Sequence, residues 1–156
     1  MPNLHPAIVH FPIALLFIYS VLKILPFYKW FPNVAWKHVE RVFIIFGVLG
    51  ALAAAVTGLI AKSIVHPDER LVLTHASFAV STAFVYIILL ISELVAIYHP
   101  AQFPAINFAN SSKVKWLALL GLILVFLTGL LGGVLAKGPS ADPLAPILLK
   151  LLGISL

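Results

Sequence analysis

Cysteine is missing altogether from the 156 residues. That excludes a disulfide framework, thiolate-bound zinc, iron–sulfur clusters and the covalent haem attachment that needs C-x-x-C-H. Charge is nearly as scarce, at 10% of the chain, with five Asp and Glu against ten Lys and Arg. Soluble domains carry about 25%. So few charges cannot solvate a chain that is 62% hydrophobic, and the mean hydropathy of +1.12 agrees. This composition excludes water as the solvent and implies an integral membrane protein. The sequence also lacks a nucleophile–base pair, a phosphate-binding glycine loop and a carboxylate dyad, which argues against a hydrolytic enzyme. The net charge of +5 falls between apolar runs, where it serves lipid headgroups and orientation rather than nucleic acid.

What is present is apolar sequence in four long runs, each near the ~20 residues that cross a bilayer core. They cover about 7–27, 36–62, 71–98 and 113–137. Trp30, Trp36, Tyr98 and Trp116 fall at their ends, where amphipathic rings prefer the interface. The fold class read from this pattern is all-α: an integral membrane four-helix bundle over 1–138. Residues 139–156 form a short apolar tail, expected to lie in the interface or dock on a partner. Met1 to Pro6 carries no positive charge, so the first span reads as a retained helix rather than a cleaved signal. Lys and Arg number six around the first and third loops against four on the side of the termini. By the positive-inside rule both termini then lie in the periplasm of a bacterial inner membrane.

Six histidines stand out among so few polar residues. The connectivity places His5, His10, His66 and His75 at the terminus-bearing end of the bundle, and His38 and His99 at the other. His10 and His75 each lie about one turn into a span, at matched depth. Ionisable groups inside spans are costly and face the bundle interior or a cavity. In span three His75, Ala79, Thr82, Tyr86 and Glu93 share one helical meridian, so this stripe should point inward. Pro12 removes the bond to the Ile8 carbonyl and should kink the first helix beside His10. Glu93, the one acid well inside a span, is expected to pair with Lys113, Lys115 or Arg41.

Two neutral imidazoles facing each other suit the axial positions of a b-type haem. The expected ligands are His10 and His75, with Gly50, Thr57 and Gly58 on the small-residue surface of span two against the ring. One haem is favoured over two. A zinc site on His5, His10 and His75 is the alternative among metals. Glycine and alanine stripes also pack membrane helices with no cofactor at all. The chain therefore reads first as a haem-carrying electron-transfer subunit working with a quinone or a cytochrome. A cofactor-free accessory subunit of a larger membrane complex and a histidine-lined metal-handling protein stand beside that reading. On none of them is the chain an enzyme by itself.

The run Leu4-His5-Pro6-Ala7-Ile8-Val9-His10-Phe11-Pro12-Ile13-Ala14-Leu15 resembles the signature of the bacterial DUF2231 family of small four-span membrane proteins. Ala55-Val56-Thr57-Gly58, His75, Thr128-Gly129 and Gly132-Gly133 extend the similarity to about residue 138. Many relatives continue the Gly-Gly pair with histidines. Here Val134 and Leu135 stand in their place, so span four supplies no histidine ligand. Relatives joined to c-type cytochrome modules imply redox surroundings.

Overall fold

The computed structural model describes residues 5–65, 68–98, 101–103 and 111–154. His66, His99, Asn107 and Asn110 lie outside the described residues. Helix α1 spans His5–Ile24, the single turn α2 Phe27–Trp30, α3 Trp36–Val65, α4 Glu69–Tyr98 and α5 Ser112–Lys137. A 3-10 turn at Pro139–Ala141 leads into α6, Ala145–Leu151. Four of these helices are long and apolar enough to cross a membrane. The all-α membrane bundle read from the sequence is the observed architecture.

Local chemistry sets the helix ends. α1 stops at Ile24, short of the Phe27 expected from hydropathy, because Leu25 precedes Pro26 and a residue before proline avoids the α region. α4 begins two residues earlier than hydropathy implied, where Asp68 Oδ1 accepts a bond from the Leu71 N–H at 2.8 Å and caps the helix. α5 ends at Gly138, whose φ of +85 suits glycine. α1 runs helical through Pro12, whose ring packs over Gly50. Phe27, Trp30, Phe31 and Trp36 form an aromatic cluster at the first loop, tied by a 2.9 Å bond from Trp36 Nε1 to the Phe31 carbonyl.

Around the bundle, α1 packs against α3 and α5, and α4 packs against α5 and α3. α1 and α4 therefore face each other across a diagonal. Leu16, Tyr19, Ile44, Val48, Val85, Tyr86, Leu89, Val114 and Val125 form the central core. Large apolar side chains such as Leu59, Val80, Phe84 and Trp116 are 64–74% exposed, as a lipid-facing surface requires. The buried polar groups Ser20, Thr82, Ser92 and Glu93 lie inside the bundle with this apolar core.

The tail folds back on its own bundle. Ala145, Leu149 and Ile154 bury against Leu71, Leu131 and Val134. Gly153, at φ +65, closes α6 with paired bonds: its own N–H to the Lys150 carbonyl at 3.1 Å, and the Ile154 N–H to the Leu149 carbonyl at 2.9 Å. That turn brings Ile154 under the helix. The surface on which the tail docks is thus α4 and α5 of the same chain, where a partner was one expectation.

Candidate functional site

Polar side chains recur among the apolar core residues between α1 and α4, at both ends and in the middle. At the terminus-bearing end His5, the first residue of α1, places Nδ1 2.9 Å from Thr57 Oγ1 on α3. Thr57 donates its own hydroxyl proton to the Ala54 carbonyl at 3.0 Å. Its oxygen is therefore left as an acceptor, and His5 Nδ1 is the donor. In a neutral ring this leaves the lone pair on Nε2, the arrangement that orients ligating histidines. Across the diagonal His75 is partly buried and lies within electrostatic reach of His5 and against the Thr128 backbone. Its Nδ1 is buried with no hydrogen-bond partner among the described residues.

Two glycines seat these rings. A Cβ on Gly58 would come 3.1 Å from His5 Cε1, and one on Gly132 would come 3.2 Å from His75 Cε1. Gly50 has a different task, since its neighbours are Pro12 and Phe11. It lets α1 approach α3.

His10 does not join this pair. It is exposed, and its Nδ1 donates to the Pro6 carbonyl of its own helix. The structure thus brings His5, where depth alone selected His10, opposite His75. The signal lay in the phase of α1. Counting back in sevens from the buried Tyr19 gives Pro12 and then His5, whereas His10 falls off that face. Among the described residues no three His, Asp or Glu side chains converge as a metal cage, and His10 stands apart from the expected His5, His10 and His75 set.

At the opposite end four charges meet inside the bundle. Lys23 of α1 pairs with Glu40 of α3 at 2.6 Å and with Glu93 of α4. Arg41 Nε lies 3.8 Å from the second Glu93 oxygen. Lys23 and Glu93 side chains are only 8% and 6% exposed. Arg41 was among the expected partners of Glu93, and Lys23, not Lys113 or Lys115, completes the pairing. Lys23 and Glu40 were missed because both sit near span ends, where charges read as headgroup contacts. Glu40 lies two turns before Gly47, on the face of α3 that meets Leu16, and that phase points it inward.

Hydroxyls occupy the middle. Tyr86 is fully buried, 2.7 Å from Ser20 Oγ, and it donates to the Leu16 carbonyl at 3.2 Å. Thr82 and Thr128 approach to 2.9 Å. Of the α4 stripe read from the sequence, Thr82, Tyr86 and Glu93 are buried, and Ser92 joins them.

A membrane-spanning four-helix bundle with an inward polar diagonal is the class that this geometry defines. Residues 1–138 match a family described as a predicted membrane protein, DUF2231. The chain belongs to the DUF2231 family. The match includes all four spans and ends before the folded-back tail. No curated protein and no solved structure matches the chain.

Proposed function

We propose that this membrane protein carries a b-type haem between His5 and His75 and serves as an electron-transfer subunit. The observation that supports it is the His5 ring held through Nδ1 by an accepting Thr57, leaving Nε2 as the lone-pair nitrogen opposite a second imidazole on the diagonal helix. The donor set fits the group: two imidazoles, with the buried His75 Nδ1 lacking a hydrogen-bond partner among the described residues, a chemistry that suits iron better than a hard divalent cation. His5 takes the role that sequence depth gave to His10. Thr57 fixes the His5 ring and its tautomer, while Gly58 and Gly132 keep side-chain bulk away from both imidazoles. A haem bound there would accept and return one electron. Its exchange partners on this reading are a quinone or a cytochrome, with both termini on the periplasmic side of a bacterial inner membrane.

The test is the absorbance spectrum of detergent-purified protein, air-oxidised and then dithionite-reduced, from cells supplied with haem. A reducible b-type spectrum, lost in His5→Ala and His75→Ala and retained in His10→Ala, is the expected result. A colourless wild type overturns the haem reading. Loss in His10→Ala with retention in His5→Ala would return the ligand role to His10.

A further inference from the structure

The two ends of the bundle differ in how their charges are matched. Of the five acids, Asp68, Glu69 and Asp142 belong to the terminus-bearing end, and Glu40 and Glu93 to the other. Both of the latter are engaged inside the bundle by Lys23 and Arg41. The stretch 99–112 adds no Asp or Glu. Lys29, Lys37, Lys113 and Lys115 are all exposed at that end, with no carboxylate of this chain left for them. None of the four forms an ion pair among the described residues. Lys113 and Lys115 also stand in the first turn of α5, which holds no acid. The backbone dipole is positive there and disfavours cations. An anion from outside the chain would relieve both costs.

A groove runs inward from Lys113. It encloses about 380 Å³ and is lined by Lys113, Trp116, Leu117 and Leu120, the i, i+3, i+4, i+7 stripe of one helix face. Seven residues at 1.5 Å each cover about 10 Å. A headgroup layer is only ~5–7 Å deep on each side of the hydrocarbon core, so the groove starts among headgroups and ends among acyl chains. Apart from the lysine its wall is apolar. Trp116 is 73% exposed and Leu120 46%, so the bundle itself leaves this wall uncovered. Trp36 gives its indole N–H to the Phe31 carbonyl. Trp116 makes no such bond among the described residues, which leaves its N–H for an ester or phosphate oxygen at the interface.

We propose that this groove binds one anionic phospholipid of the phosphatidylglycerol type, with its phosphate on Lys113 and an acyl chain along Trp116, Leu117 and Leu120. Charge and shape together name the occupant. A free phosphate would leave the apolar wall unfilled, and a zwitterionic lipid would set its own cation beside the lysine. Lys115 lies about 200° around the helix from Lys113. It raises the potential of the surface without lining the groove.

The experiment places the full chain in phosphatidylcholine vesicles that contain a chain-brominated lipid, either phosphatidylglycerol or phosphatidylcholine, and follows quenching of tryptophan fluorescence. Each protein is read against its own Trp116→Phe version, which isolates the quenching at Trp116. In the wild type, brominated phosphatidylglycerol should compete for Trp116 about fivefold better than brominated phosphatidylcholine, as one lysine near an anionic headgroup gives. Lys113→Ala should bring that ratio close to unity, and Lys115→Ala should keep at least about threefold. All the substituted side chains are exposed, so the fold does not enter the comparison. A wild-type ratio near unity overturns the proposal, and so does a Lys113→Ala protein that keeps the wild-type ratio. Equal losses in Lys113→Ala and Lys115→Ala would also overturn it, because the preference would then belong to diffuse surface charge and not to the groove.

Discussion

The two ends of the α1–α4 diagonal solve the same problem with opposite chemistry. At the opposite face from the termini, Lys23, Glu40, Glu93 and Arg41 bury full charges and cancel them pairwise. At the terminus-bearing face, His5, Thr57 and His75 are groups that can stay neutral, with His5 bonded to Thr57 and both imidazoles seated over glycines. A buried pair is costly to break because the surviving charge is stranded. A neutral imidazole strands nothing when it is removed. The charged end is therefore where this bundle is held, and the histidine end is where it has latitude to bind.

The sharpest way to break that comparison is Lys23→Met. It strands Glu40 and leaves Glu93 with Arg41, and the loss of stability should reach about 3–5 kcal/mol, the range for stranding a buried charge. The measurement is unfolding of the detergent-solubilised protein, by heat or by added dodecyl sulfate. Adding Glu40→Gln to Lys23→Met should recover a good part of the loss by removing one stranded carboxylate. If Lys23→Met is as stable as the wild type, the cluster is solvated and the two ends do not differ.

Glycines give the next effect, because they touch both ends and the middle. A Cβ on Gly121 would stand 2.9 Å from Tyr86 Cζ, and that ring is pinned by Ser20 and Leu16. Gly121→Ala should cost about 1–3 kcal/mol, as overpacking does. At Gly132 the contact is longer, 3.2 Å to His75 Cε1, so Gly132→Ala should cost less. Gly133 has nothing within 4 Å. Gly133→Ala should raise stability by up to about 1 kcal/mol through helix propensity alone. The ordering of the three variants in one unfolding assay checks how firmly each ring is held.

The fold was legible because hydropathy and helix period carry it. Four spans, the inward stripe of α4 and the contact of Arg41 with Glu93 all follow from where apolar residues stop and which meridian polar ones share. The candidate site was legible only in part. Depth in the membrane can be read from span ends, and by depth His10 matches His75. Azimuth needs a second residue on the same helix to set the phase, and the buried Tyr19 is the residue that sets it. Lys23 itself was hidden by its position in the last turn of α1, where a lysine has two equally good fates: reaching for headgroups or turning in to a carboxylate on a neighbouring helix. Only the packing of α3, brought close over Gly47 and Gly50, places Glu40 where Lys23 turns in.

The smallest effect sharpens the comparison most, because it asks whether the histidine end is tuned rather than merely packed. Thr57→Val keeps the side-chain shape and removes the oxygen that accepts from His5 Nδ1. A single net hydrogen bond is worth about 1 kcal/mol, so stability should change by no more than that, a fraction of the Lys23→Met loss. The tautomer should change instead. With Thr57 donating to Ala54, the wild-type His5 carries its proton on Nδ1, and nitrogen NMR of the labelled ring should show that single form. Thr57→Val removes the acceptor that holds the proton on Nδ1, and the spectrum should move toward a mixture, while Thr57→Ser should return it. A ring that stays wholly Nδ1-protonated in Thr57→Val would mean that His5 is oriented by another contact, and Thr57 would then be a packing residue like Gly50.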